Sequence, residues 1–135
     1  MSKFIIDFIN ANPYVLADGA MGTYFAEISG MSLDKCELAN IEAPNIIRRI
    51  HEEYIAAGAQ ILKTNTFAAN TISLATDFNT IKDIIRKGIE IANSAVKGKD
   101  IYILGDIGPI PEIEGHNSLL EYKGIIDVFF DSGVR

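Results

Sequence analysis

Ile61-Leu-Lys-Thr64, a helical pattern running from Asn79 to about Ala95, and Ile101-Tyr-Ile-Leu104 form the stretch that decides the fold. Each short apolar run stops at polar turn residues, Asn65-Thr66 after the first and Gly105-Asp106 after the second. That is how a strand buried on both faces reads. Between them Ile81, Ile84, Ile85, Ala92 and Ala95 recur at helical spacing, with Asn79 placed to cap the helix. Gly88 lies on the same stripe, where glycine costs about 1 kcal/mol relative to alanine. Close packing of helix on sheet is the expected compensation. Two strands joined through such a helix must run parallel, with a right-handed crossover.

The same grammar extends in both directions. Upstream, Pro44 stands where a first helical residue should, Ile46, Ile47, Ile50, Tyr54 and Ile55 form an apolar stripe, and Gly58 closes the helix. Arg48 with Glu52 and Arg49 with Glu53 are four residues apart and predict a solvated ion-pair face. The stretch from Gly30 to Ala43 reads as irregular, and Met21 to about Ser29 as a short helix. Tyr14-Val-Leu-Ala17 reads as a further buried strand ending at Asp18-Gly19. Ser2 is placed to cap a lead-in helix with Phe4, Ile5, Phe8 and Ile9 on one face, ended by Asn12-Pro13. Downstream, a loop from Gly108 to Gly115 leads to a helix from about Ser118 to Phe130. The expected fold is therefore α/β, built of parallel βα units, three in number. A closed eight-unit barrel needs about 200 residues or more, so a barrel formed by these 135 residues alone would be incomplete.

Composition narrows the function. With 48% hydrophobic and 22% charged residues the chain suits one globular domain. Eighteen acidic against twelve basic residues leave a net charge of −6, and the basic residues are scattered, which disfavours nucleic acid as a partner. A single cysteine excludes an internal disulfide, and no apolar run approaches the roughly 20 residues of a membrane span. A cytoplasmic, non-membrane protein is expected.

Each expected strand carries polar groups at its carboxyl end: Asp18, then Thr64 with Asn65, then Asp106. In parallel α/β folds that is where ligands bind. Asp18, between a buried strand and a helix start and so beside free backbone N–H groups, has the chemistry to hold a zwitterion, its carboxylate taking an ammonium and the N–H groups a carboxylate. Equally, it has the chemistry to close a turn and cap the next helix. Gly19-Ala-Met-Gly22 lacks the dinucleotide fingerprint. Thr64, Asn65 and Thr66 suit hydrogen bonding to an amino acid's carboxylate or to a backbone turn. Strand alternation puts Leu62, Thr64 and Thr66 on one face and Lys63 with Asn65 on the other, so a site on the Thr64 face leaves Lys63 snorkelling among helices. A Schiff-base role for Lys63 is the alternative. Asp106 suits either substrate binding or support of the Gly108-Pro109 turn. Cys36, His51 and His116 lack the spacing of metal ligands.

Leu-Ala-Asp-Gly-Ala-Met-Gly-Thr (16–23), Cys-Glu-Leu-Ala-Asn (36–40), His-Glu-Glu-Tyr-Ile-Ala-Ala-Gly-Ala (51–59), Thr-Asn-Thr-Phe (64–67) and Gly-Asp-Ile-Gly-Pro (105–109) together resemble the homocysteine S-methyltransferase family. The likeness is strongest to the homocysteine-binding module that begins cobalamin-dependent methionine synthases. It implies the first three units of a (β/α)8 barrel, a partial homocysteine-binding domain over residues 1–135 that stops before the fourth strand. It also implies a methionine-forming transfer of methyl to homocysteine, with zinc favouring the thiolate and a methyl donor such as methylcobalamin (cobalamin as carrier), betaine or S-methylmethionine. By resemblance, Asp18, Gly19, Ala20 and Thr64 bind homocysteine, with Asn65 and Asp106 beside them. The family's zinc ligands are cysteines after the sixth and eighth strands, so no metal ligand and no catalytic residue is assigned here. The implied partners are homocysteine and a carboxyl-terminal half or further domains. The alternative is a binding module without catalysis.

Overall fold

The computed structural model describes residues 4–32, 34 and 36–134. The elements, in chain order, are α1 (Ile5–Ala11), α2 (Gly22–Ser29), α3 (Ala39–Glu42), α4 (Pro44–Ala56), β1 (Ile61–Lys63), α5 (Phe78–Val96), β2 (Tyr102–Leu104) and α6 (Ser118–Asp131). The strands β1 and β2 pair in parallel, with Ile61 opposite Tyr102 and Lys63 opposite Leu104. The mixed α/β architecture with parallel strands is thus as the pattern predicted.

The expected strand at Tyr14–Ala17 shrinks to a single parallel bridge from Ala17 to Ile61. Nor is it buried: Tyr14 is 85% exposed and Leu16 54%. The hydrogen bonds give the reason. The Leu16 carbonyl accepts from both Gln60 and Ile61 N–H, and Ile61 accepts from Asp18 N–H, but the Leu16 N–H donates to the Gln60 side chain instead of continuing the ladder. The segment still runs alongside β1 and delivers Asp18 to the end of it.

Other boundaries move for local reasons. Asp77, not Asn79, caps α5: its carboxylate accepts from Thr80 N–H at 3.0 Å and from the Thr80 hydroxyl at 2.9 Å. The stretch expected to be irregular before Ala43 contains α3, and Ile101 stays outside β2. The proposed Ser2 cap lies outside the described residues. The lead-in helix is only half covered. Phe8 packs on Tyr102 with ring centroids 5.0 Å apart and the rings tilted by 40°, while Phe4 and Ile9 face outward. Pro44 does open α4, and the Arg48–Glu52 and Arg49–Glu53 pairs sit on its exposed face.

Two apolar clusters hold the fold. One packs Ile81, Ile84 and Ile85 of α5 on Ile125, Val128 and Phe129 of α6. The other joins Phe25 of α2 to Ile47 and Ile50 of α4, with Cys36 and Ile91. Each of these large side chains contributes about 1.5–3 kcal/mol through burial. His51, also fully buried, has neither ring nitrogen hydrogen-bonded among the described residues, and burial lowers its pKa from 6.5 to about 4. It is a neutral core residue. At Gly88, α5 packs tightly on Asn40 of α3 and on the loop after β1: a Cβ there would lie 2.8 Å from Asn40 Nδ2 and 3.1 Å from Thr66 Cγ2. The gap lets the Asn40 amide donate both to the Ile84 carbonyl of α5 and to the Asn65 carbonyl. Farther along, Glu121 of α6 accepts from the N–H and hydroxyl of Thr71 and meets His116 Nε2 at 2.6 Å, fastening the loop after β1 to α6.

Candidate functional site

At the carboxyl ends of the strands lies a cleft of about 300 Å³. Asp18, Gly19, Thr64, Asn65 and Asp106 all line it, so the polar groups that end the strands do converge. Ala20 lies beside the wall, with its carbonyl accepting from the Tyr54 hydroxyl at 2.7 Å. The ring of Tyr54 also explains Gly19, where a Cβ would fall 2.8 Å from Tyr54 Oη.

Asp18 does not cap α2, whose N-cap residue is Met21. Its Oδ2 accepts instead from Lys63 N–H at 2.9 Å. The side chain is only 2% exposed, and Oδ1 has no hydrogen-bond partner among the described residues. Burial raises the Asp18 pKa, the Lys63 N–H and ammonium pull it back, and the nearby Asp106 adds to the rise. Asp106 is likewise raised by burial and lowered by Lys63. A buried carboxylate oxygen without a donor is costly unless something else supplies one. Asp18 Oδ1 is therefore an acceptor in need of a donor, buried in the wall of the cleft.

Lys63 overturns the expectation from alternation. It does not lie away from the site; its ammonium stands 3.8 Å from Asp18 Oδ1, and the residue lines the cleft. The strand ends at Lys63, so its long stem is free to turn toward the neighbouring carboxylate.

Thr64 and Asn65 line the cleft, but their polar groups serve the framework. Asp106 N–H donates to Thr64 Oγ1 at 3.0 Å, and Thr66 Oγ1 donates to the Asp106 carbonyl at 2.7 Å. The 2.7 Å contact between the two hydroxyls must then use the Thr64 proton, because that of Thr66 is already spent. Asn65 donates to the Cys36 carbonyl and to Asn40 Oδ1, and accepts from Cys36 Sγ.

Cys36 and Glu37 are further lining residues that periodicity did not single out, although both stand in the Cys-Glu-Leu-Ala-Asn block. Glu37 accepts from Ala68 N–H at 3.0 Å. Burial pushes the Cys36 thiol up to about 12, with the Glu37 charge adding to the rise and Asn65 opposing it. The thiol donates its hydrogen bond to Asn65 Oδ1 at 3.1 Å. Among the described residues no group of three or more His, Cys, Asp and Glu side chains gathers to hold a metal ion. The residues present do not fit a zinc site.

Fold and cleft together define an α/β chain with a small polar cleft at the ends of parallel strands. Comparison gives that class a family. The sequence model of the family described as Homocysteine S-methyltransferase matches residues 15–131. The methionine synthase of Mycobacterium leprae (strain TN) is 31% identical over 141 residues, covering 92% of this chain and 11% of that protein. Betaine–homocysteine S-methyltransferase 1 of Xenopus laevis is 28% identical over 106 residues, covering 71% of this chain and 26% of that protein. Among solved structures, the metallated form of the homocysteine methyltransferase MmuM from Escherichia coli superposes with a TM-score of 0.74 at 23% identity, over 94% of this chain and 53% of that one. The chain belongs to the homocysteine S-methyltransferase family. It spans a small part of the curated relatives' length and about half of the solved one. No helix among the described residues is long and apolar enough to cross a membrane.

Proposed function

We propose that this chain forms the amino-acid-binding part of a homocysteine-binding domain, contributing the first βα units of a (β/α)8 barrel to methionine-forming methyl transfer. The observation that carries the reading is Asp18: a buried carboxylate with one oxygen fixed by Lys63 N–H and the other lacking a donor, facing a cleft of amino-acid size. The ammonium of homocysteine supplies that donor. Its carboxylate meets the N–H groups of Gly19 and Ala20, at the turn that leads into α2. Thr64, Asn65 and Asp106 shape the wall, the first two as braces and Asp106 as a second carboxylate. The zinc ligands and the approach of a methyl carrier such as cobalamin are left to barrel units other than these. A reducing, cytoplasmic setting agrees with the lone thiol.

Calorimetric titration with L-homocysteine tests the binding role. Heat of binding that Asp18→Ala abolishes is expected, and no heat with the unaltered protein refutes the proposal. Methyl transfer from methylcobalamin, assayed with and without the carboxyl-terminal part of a relative's homocysteine domain, tests the catalytic half. Activity only in the mixture is expected. Binding without activity in any combination leaves a binding module.

A further inference from the structure

We propose that Lys63 is an exchangeable counter-ion that makes the cleft selective for zwitterionic amino acids. Its ammonium balances Asp18 until the substrate's ammonium takes its place, and it then pairs with the substrate's carboxylate. The inference rests on the homocysteine-binding reading above and adds to it a residue that sets specificity.

The geometry separates what is fixed from what can move. Asp18 Oδ2 is held by the backbone N–H of Lys63, a bond that does not depend on the lysine side chain. The Lys63 side chain is 44% exposed, and its ammonium lies 3.8 Å from Oδ1, beyond hydrogen-bond distance. The pair is thus held by charge alone, through a flexible stem at the mouth of the cleft, and a closer donor can displace it. Charge balance gives the exchange its selectivity. Asp18, Glu37 and Asp106 bring carboxylates to the cleft, while Lys63 is the cation that lines it. Glu37 is already engaged by Ala68 N–H. A zwitterion neutralises Asp18 with its ammonium and offers Lys63 a carboxylate in exchange, so no charge loses its partner. An amine without a carboxylate displaces Lys63 and leaves it unpaired. An acid without an ammonium must compete with Asp18 for Lys63.

The test compares Lys63→Met with the unaltered protein, using three probes: L-homocysteine, its decarboxylated analogue (an aminopropanethiol) and its deaminated analogue (a mercaptobutyrate). Removing the competing ammonium should make the amine bind about twofold to fivefold more tightly. Removing the carboxylate's partner should weaken the acid about tenfold or more, and Lys63→Arg should restore it. These opposite shifts distinguish exchange from a merely structural lysine, which would move both probes in the same direction or neither. If the unaltered protein binds L-homocysteine but the two analogues do not shift in opposite directions, the role of Lys63 is overturned and the pocket stands. If it does not bind L-homocysteine, the pocket assignment fails, and this proposal with it.

Discussion

Replacing Gly88 with alanine sets two well-defined effects against each other. In an exposed helix the change would stabilise by about 1 kcal/mol through helix propensity. Here the new methyl group would fall 2.8 Å from Asn40 Nδ2, too close for the amide to stay. That amide donates at 2.8 Å to the Asn65 carbonyl and at 3.1 Å to the Ile84 carbonyl. Both bonds are buried, and each leaves a polar group unsatisfied when broken, at about 1–3 kcal/mol. Losing both costs about 2–6 kcal/mol, so after the helix gain a net destabilisation of about 1–5 kcal/mol is expected. Urea unfolding followed by circular dichroism reads it as a lower midpoint with an unchanged slope. Adding Gly88→Ala to an Asn40→Ala background, where no amide stands in the way, should cost far less than in the natural chain. A more stable Gly88→Ala protein, or full additivity in the double variant, would refute the argument that glycine is there to admit the Asn40 amide.

Three further outcomes follow from the buried ionisable groups. Because His51 is held neutral, with a pKa near 4 against an ordinary 6.5, the folded state binds fewer protons than the unfolded one below pH 6.5; about 3 kcal/mol of stability should drain away between pH 6.5 and 4. His51→Leu should flatten that part of the curve of unfolding free energy against pH. Asp18 acts in the opposite sense: its raised pKa means that its contribution is greatest below its ordinary 3.8 and is lost as the pH rises through the folded value. The difference in stability between the natural chain and Asp18→Asn should therefore tilt toward the variant as the pH rises, and a difference independent of pH would contradict the burial argument. The Cys36 thiol, 3% exposed and held protonated to about pH 12, should resist Ellman's reagent in the folded protein and react at the rate of unfolding in urea; immediate reaction in buffer would show that the cleft opens onto it.

The helices were legible because they carry both period and punctuation. Pro44 and Gly58 frame α4, and the inward residues of α5 fall on a stripe at helical spacing. The cap of α5 was harder to place: Asp77 and Asn79 both have the chemistry, and only the contact with Thr80 decides. The first strand misled because an apolar run reports hydrophobicity and not which donor completes a ladder; the Gln60 side chain took that place. The convergence of Asp18, Thr64, Asn65 and Asp106 was legible because topology alone carries the ends of the strands to one cleft. Alternation misplaces Lys63 because that rule holds within a strand, and β1 stops at this residue. Cys36 and Glu37 reach the wall through contacts with residues about thirty positions away, which no local period encodes.

The side chain of Asn65 has a consequence for the order in which the cleft forms. One amide group joins Cys36 on one wall to Asn40, and Asn40 in turn is bonded to the backbone of α5 at Ile84. The loop that carries Asn65 thus reaches its final shape only when segments 29 and 44 residues apart have been brought together, closures whose entropy must be met before the bonds reward it. The cleft is then expected to form late in folding, when α5 docks. Its amide protons should exchange with solvent only in openings large enough to release that helix.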